Sequence, residues 1–335
     1  MKASKKFLVA SSVFALNMMC AAVAFANYGS GSIAWSDDEA TRQVIQSTQP
    51  LRAEVSRRET TLAFNNNGVV ASNYNNSGFN NNYSAYEPTV NARAAIVMDA
   101  QTGEILFSKN TGTSLPIASI TKLMTAVVTA DARLDMSERI MLEPIDFAGA
   151  GGKNSSSTLR AGDVMNRAEL LLAALMKSEN PAAAALARAY PGGRGAFVAQ
   201  MNAKARQLGM TSTRYVESTG LDPQNMASAR DLALLVSAAS QYGLIRQFST
   251  TPNYDFNIGR SVSSRNTNAL VRAGSWNIGL SKTGYIRESG RCVVMEATVN
   301  NRPAVVVLLG ASDTAARNSD AESLLSWLSA RNRAI

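Results

Sequence analysis

Strand-like apolar runs stand at both ends of the foldable part of this chain, and a long helical block separates them. Ala94–Asp99 and Glu104–Phe107 flank Gln101-Thr102-Gly103, a hairpin pattern in which Gly103 supplies the positive φ. Near the other end come Ile278–Tyr285, Cys292–Val299 and Pro303–Leu309, with Asn300-Asn301 as the tight turn between the last two. Between these groups, apolar residues recur at helical spacing in Asn166–Met176, in an alanine-rich segment opened by Pro181 and stopped by Pro191-Gly192-Gly193, in Ala196–Leu208 and in Ala229–Ala239. A last helix is expected over Ala321–Leu328. Strands first and last, with helices between, predict an α+β layered domain. It is a mostly antiparallel sheet with flanking helices and a helical lobe, whose first and last strands meet.

The N-terminus carries the marks of an export leader. Lys2, Lys5 and Lys6 precede the apolar Phe7–Val23, and Ala24-Phe25-Ala26 is a small-x-small cleavage pattern. Export is expected, with cleavage after Ala26. The h-region is short for a membrane anchor, and no later stretch is apolar and long enough to span a bilayer. Residues 27–89 hold three asparagine clusters among Gly, Ser and Tyr, with few aliphatic residues to offset the entropy of ordering them; they are expected to form a disordered linker. The folded domain is expected over 90–335. Cleavage removes Cys20 and leaves Cys292 alone, so no intrachain disulfide is expected; Cys292 reads as a small buried hydrophobe. The formal net charge is +8 at pH 7, but the cations are scattered, without basic runs or interleaved aromatics. A nucleic-acid partner is not expected, whereas a weak attraction to anionic cell-surface polymers is.

The 335 residues include no histidine. Ser-His-Asp and Cys-His catalysis and histidine zinc sites are thereby excluded, and no metal or cofactor is expected. A hydrolase built from this chain needs another base. The sequence contains a single Ser-x-x-Lys, Ser119-Ile120-Thr121-Lys122, at the start of an apolar helix just after Pro116. Residues i and i+3 share a helix face. Lys122 is therefore placed to deprotonate the Ser119 hydroxyl, provided burial or neighbouring positive charge lowers its pKa. The positive end of the helix favours the developing alkoxide.

Two further motifs follow in order, Ser178-Glu179-Asn180 and Lys282-Thr283-Gly284. Ser-x-Asn also occurs at Ser264 and at Ser275. The Ser178 copy is chosen because it caps an apolar helix and lies between the other two motifs. Taken singly, each has a bland reading: a solvated surface pair, a helix stop, a strand end. Together they suggest a cleft. Ser178 relays a proton, Asn180 holds a substrate amide, and Lys282 and Thr283 meet a carboxylate. Gly284 lets a substrate backbone lie along the strand, and the N–H groups of Ser119 and Tyr285 form an oxyanion hole. The glycine-rich stretch Gly149–Ser157 is not a phosphate loop, since Phe147 stands where the first glycine belongs and Asn154 follows the lysine.

The ordered trio is shared by penicillin-binding proteins and serine β-lactamases. With Pro-Ile-Ala-Ser-Ile-Thr-Lys-Leu-Met-Thr-Ala, Ser-Glu-Asn-Pro-Ala-Ala-Ala, Tyr-Pro-Gly-Gly and Trp-Asn-Ile-Gly-Leu-Ser-Lys-Thr-Gly, residues from about Ala94 to Trp327 resemble the low-molecular-mass penicillin-binding proteins of the D-alanyl-D-alanine carboxypeptidase 1 (S11) serine peptidase family. The wording is most similar to the periplasmic endopeptidase subgroup, the penicillin-binding protein 7 type. The resemblance implies a serine β-lactamase/DD-transpeptidase-like fold and acyl-enzyme chemistry on peptidoglycan stem peptides. It implies Ser119 as nucleophile, Lys122 as base, Ser178 with Asn180 as second motif and Lys282, Thr283 and Gly284 as third. β-Lactam antibiotics are expected to acylate Ser119. Many relatives carry a C-terminal β-rich domain and an anchoring helix; the chain ends at Ile335, so a periplasmic enzyme without a stable membrane anchor is expected. Cleavage of D-alanyl cross-links is the expected activity, with trimming of terminal D-alanine and non-catalytic wall binding as alternatives. Arg317 falls near the place of a carboxylate-binding arginine. A β-lactamase that deacylates through a glutamate is disfavoured, because Glu169 lies inside a helix rather than on a loop.

Overall fold

A computed structural model describes residues 87–149 and 157–331. The expected leader, nearly all of the Asn-rich stretch and most of the Gly149–Ser157 loop lie outside the described residues.

β1 (Ala94–Asp99) and β2 (Ile105–Lys109) form the expected hairpin. The Asp99 carboxylate accepts from the amides of Gln101 and Thr102, both at 2.9 Å, and Gly103 takes φ 74°. β3 (Leu115–Pro116) then leads through a 3-10 turn, Ala118–Ile120, into α1 (Thr121–Asp131). Every α1 residue except Asp131 is buried, so it is the central helix of the lobe and needs no polar face. β4 (Arg139–Met141) pairs with β5 (Val164–Asn166).

α2 (Arg167–Leu172) starts on a capping box, with the Asn166 side chain accepting from Glu169 N and the Glu169 carboxylate accepting from Asn166 N. The sequence predicts one helix through Met176. Instead the hydrogen bonding widens to a π-turn over Ala173–Lys177, which stops at Ser178 in the left-handed region, φ 66°. α3 (Asn180–Arg188) begins at once, with Pro181 in its first turn. There follow α4 (Gly193–Gln207), β6 (Met226–Ala227), which pairs with β3, α5 (Ala229–Ala239) and α6 (Gly243–Thr250). A hairpin of β7 (Asn253–Asn257) and β8 (Ser261–Arg265) comes next, and it carries few apolar residues: Phe256 and Val262 point inward among Asn, Asp and Ser. After α7 (Ala269–Ala273) come β9 (Asn277–Ile286), β10 (Gly290–Val299), β11 (Arg302–Ala311) and α8 (Thr314–Arg331).

The main sheet runs β2-β1-β11-β10-β9 and is antiparallel throughout. The first and last strands are neighbours, as the sequence predicts, with Ala94 opposite Leu309 and Asp99 opposite Ala304. Asn300 and Asn301, at φ 49° and 62°, make the β10–β11 turn in the backbone region asparagine tolerates best after glycine. The two-residue period sends alternate side chains to two cores. Ile96, Leu280, Val294 and Val307 face the helical lobe; Val97, Met295, Val306 and Leu308 face Leu324, Leu325 and Leu328 of α8. Covering both faces explains why the central strands read as continuous apolar runs. β9, at the sheet edge, packs against the Ala118–Ile120 turn and α6. Among the described residues, no helix is long and apolar enough to cross a membrane.

Candidate active site

Ser119 sits in the 3-10 turn just ahead of α1 rather than inside the helix. The turn is strained and tightly enclosed. Ala118 takes φ 47°, a region that costs a residue with a Cβ on the order of 1 kcal/mol. Two glycines press on it from either side. A Cβ on Gly220, itself at φ 84°, would lie 1.9 Å from the Ala118 carbonyl oxygen; one on Gly284 would lie 2.9 Å from the Ile117 oxygen and 3.2 Å from Ser119 N. Gly284 is thus required where β9 meets the Ser119 turn, a different reason from the substrate-backbone approach expected from sequence.

Lys122 Nζ is fully buried; it lies 2.8 Å from Ser119 Oγ and donates to Asn180 Oδ1 at 2.5 Å and to the Thr219 carbonyl at 2.6 Å. Burial pulls its pKa down to about 7, against the opposing pull of Glu217 and Glu179. A neutral amine has two hydrogens and one lone pair. Asn180 Oδ1 and the Thr219 oxygen only accept, so they take the two hydrogens. The lone pair is left facing the Ser119 hydroxyl, which is the arrangement a general base needs.

The second wall is formed by the junction between the π-turn and α3. Lys282 Nζ, buried on β9, donates to Ser178 Oγ and to the Thr283 carbonyl, both at 2.9 Å. Burial, then the charges of Lys122 and Arg317, hold its pKa well below the usual lysine range. Burial is the largest cause of the lowering at both lysines. Thr283 donates to Thr267 Oγ1 at 2.7 Å.

These groups surround an open cleft of about 290 Å³. Ser119, Ser178, Asn180, Thr283, Gly284 and Tyr285 line it, and Lys122 and Lys282 lie buried behind its walls. All eight sequence-derived site residues are therefore brought together. Tyr285 is half exposed at the rim, with the Arg291 guanidinium 3.6 Å above its ring. Arg317 also lines the cleft. Glu169 does not, being occupied as the α2 cap. Cys292 is buried. Among the described residues, no cluster of Cys, Asp or Glu could hold a metal ion.

Sequence reasoning missed Thr267, Glu217, Thr219 and Asn225. The Glu217 carboxylate accepts from Thr219 N, Thr219 Oγ1, Gly220 N and Asn225 Nδ2, fixing the turn that brings the Thr219 carbonyl to Lys122. The available signal was Glu217-Ser218-Thr219-Gly220, an acid followed by turn residues.

Known proteins are similar to this chain in sequence and in fold. The sequence profile of peptidase S11, D-alanyl-D-alanine carboxypeptidase, matches residues 81–313. A D-alanyl-D-alanine endopeptidase of Pseudomonas aeruginosa is 45% identical over 238 residues, 70% of this chain and 76% of that one. An endopeptidase of the same description from Escherichia coli is 41% identical over 253 residues, 73% and 79% of the two chains. Among solved structures, the Streptomyces K15 DD-transpeptidase superposes with a TM-score of 0.67 at 28% identity, covering 72% of this chain and 98% of that one. Penicillin-binding protein D2 of Listeria monocytogenes, in its cefotaxime-bound form, gives 0.64 at 27% identity, with the same coverage. With the motifs gathered in one cleft and the profile spanning most of the chain, the protein belongs to the S11 family of serine peptidases, the D-alanyl-D-alanine carboxypeptidase family.

Proposed function

We propose that the chain is a serine DD-peptidase that opens D-alanyl cross-links in peptidoglycan through an acyl-enzyme on Ser119. The observation that carries this is the bonding of Lys122, whose two carbonyl acceptors aim its lone pair at Ser119 Oγ. Ser119 Oγ attacks the D-alanyl carbonyl carbon as its proton passes to Lys122. The oxyanion is held by the N–H groups of Ser119 and Tyr285, each donor of this kind being worth about 3–4 kcal/mol in the transition state. The proton that Lys122 took from Ser119 passes through the Ser178 hydroxyl, which Lys282 orients, to the departing amine; the C–N bond breaks, the acyl group stays on Ser119, and Lys122 is neutral again. Water attacks that ester with Lys122 again as base, releasing the new carboxylate and restoring the serine. Lys282 and Thr283 receive the carboxylate beside the scissile bond, and Asn180 serves both Lys122 and the substrate amide. β-Lactams acylate Ser119 by the same first step. An exported, periplasmic enzyme fits both the leader pattern and the substrate.

Cross-link cleavage is preferred over trimming of terminal D-alanine because relatives 45% and 41% identical are described as endopeptidases. Purified protein incubated with cross-linked muropeptide dimers is expected to yield monomers. Loss of terminal D-alanine from monomers with dimers left intact would assign the carboxypeptidase activity instead.

A further inference from the structure

None of residues 217–220 lines the cleft, yet the turn they form meets Lys122 and is densely hydrogen-bonded. Both oxygens of the Glu217 carboxylate are engaged. Oε2 accepts from Thr219 N at 2.6 Å and Thr219 Oγ1 at 2.5 Å; Oε1 accepts from Gly220 N at 2.5 Å and Asn225 Nδ2 at 2.8 Å. All four partners are donors, so a carboxylate fits and an amide does not. Asn225 is fully buried and ties the turn to α1, its Nδ2 also reaching Thr121 Oγ1 at 3.1 Å, while its Oδ1 accepts from Val216 N at 2.7 Å. On the cleft side the turn delivers one group, the Thr219 carbonyl, 2.6 Å from Lys122 Nζ.

We infer that Glu217 is a positioning residue of the peptidase reaction: its carboxylate clamps the 217–220 turn so that the Thr219 carbonyl takes one Lys122 hydrogen and leaves the amine lone pair on Ser119. The inference rests on Lys122 being the base. Displacing that carbonyl lets Lys122 Nζ turn away from Ser119, and small displacements of a reacting group lower rates by about 10- to 100-fold. Glu217 acts on Lys122 in a second way. The charged groups facing Lys122 are Glu217 from this turn, Glu179 ahead of α3 and Lys282 from β9; the two carboxylates favour its protonated form. At Lys282 burial, then the charges of Lys122 and Arg317, lower the pKa.

The test is the rate of acylation by a fluorescent penicillin, measured against concentration and pH for the full chain and three variants. Glu217→Gln is expected to lower the limiting acylation rate about 10- to 100-fold, leave the saturation constant for the penicillin unchanged and move the acid limb of the profile to lower pH. A loss of packing alone would lower the rate without moving the limb. Thr219→Val removes the hydroxyl's bond to Glu217 and the one it accepts from Leu221 N, and keeps the carboxylate. It is expected to lower the limiting rate several-fold with the acid limb in place, and it decides the matter if the Glu217→Gln variant lacks a native circular dichroism spectrum. Lys122→Ala separates the two levels of the argument. If it acylates like the wild type, the base assignment falls and the inference with it. If acylation depends on Lys122 while Glu217→Gln and Thr219→Val match the wild type in rate and acid limb, the clamp alone is overturned.

Discussion

Gly284 stands against the backbone of Ser119: a Cβ at Gly284 would lie 3.2 Å from Ser119 N and 2.9 Å from the Ile117 carbonyl oxygen. β9 can approach the serine turn this closely because position 284 has no side chain. The same approach places the buried amine of Lys282 on the Ser178 hydroxyl. A glycine two residues after Lys282 is therefore a spacing device between the third motif and the first.

Gly284→Ala tests that spacing. The added methyl meets backbone atoms, which do not rotate away, so β9 must shift by a few tenths of an ångström. The acylation rate by penicillin is expected to fall by about 10- to 100-fold, since that shift moves the Ser119 and Tyr285 N–H groups apart. The thermal melt is expected to stay cooperative. An unchanged acylation rate would show that the turn and strand can separate freely.

The pH dependence follows from Lys122. Its amine works only when neutral, and burial sets its pKa at about 7. Below that value the nitrogen carries a third hydrogen and no lone pair. Acylation is accordingly expected to be full above neutrality and to fall about tenfold for each unit of acidification well below it. Stopped-flow acylation across the acid range checks this. A rate that stays flat into the acid range would mean that Lys122 is not the titrating base.

Ser178 and Lys282 are expected to behave as one unit. The Ser178 hydroxyl accepts from Lys282 Nζ at 2.9 Å, so removing either partner disables the proton relay. Ser178→Ala and Lys282→Ala should each lower turnover strongly, and the double variant should be little worse than the poorer single one, as for residues that act together. Losses that multiply would show independent roles.

Much of this was legible in the sequence, for identifiable reasons. The adjacency of β1 and β11 follows from strands at both ends of a chain that must bury them in one sheet. The cleft residues were legible because Ser119, Lys122, Ser178, Asn180 and Lys282-Thr283-Gly284 keep short fixed spacings. The π-turn over Ala173–Lys177 was not legible, since its apolar pattern matches that of an α-helix and the extra residue per turn leaves no local mark. The β7–β8 hairpin was missed because it has few apolar side chains to alternate. Glu217 and Asn225 were missed because they act through backbone groups far along the chain, and single polar residues in a loop carry no period. The close approach of Gly284 to the serine turn was not legible, because its neighbour across the gap, Ile117, lies far away in sequence.

The central claim is that an uncharged Lys122 takes the proton from Ser119. Its most direct measurement is the rate constant for covalent labelling of Lys122→Ala by a fluorescent penicillin, with mass spectrometry locating the adduct. The account expects labelling on Ser119 in the wild type and a rate about 100- to 10,000-fold lower in the variant. Labelling of the Lys122→Ala protein at the wild-type rate, or an adduct on any residue other than Ser119, would contradict it.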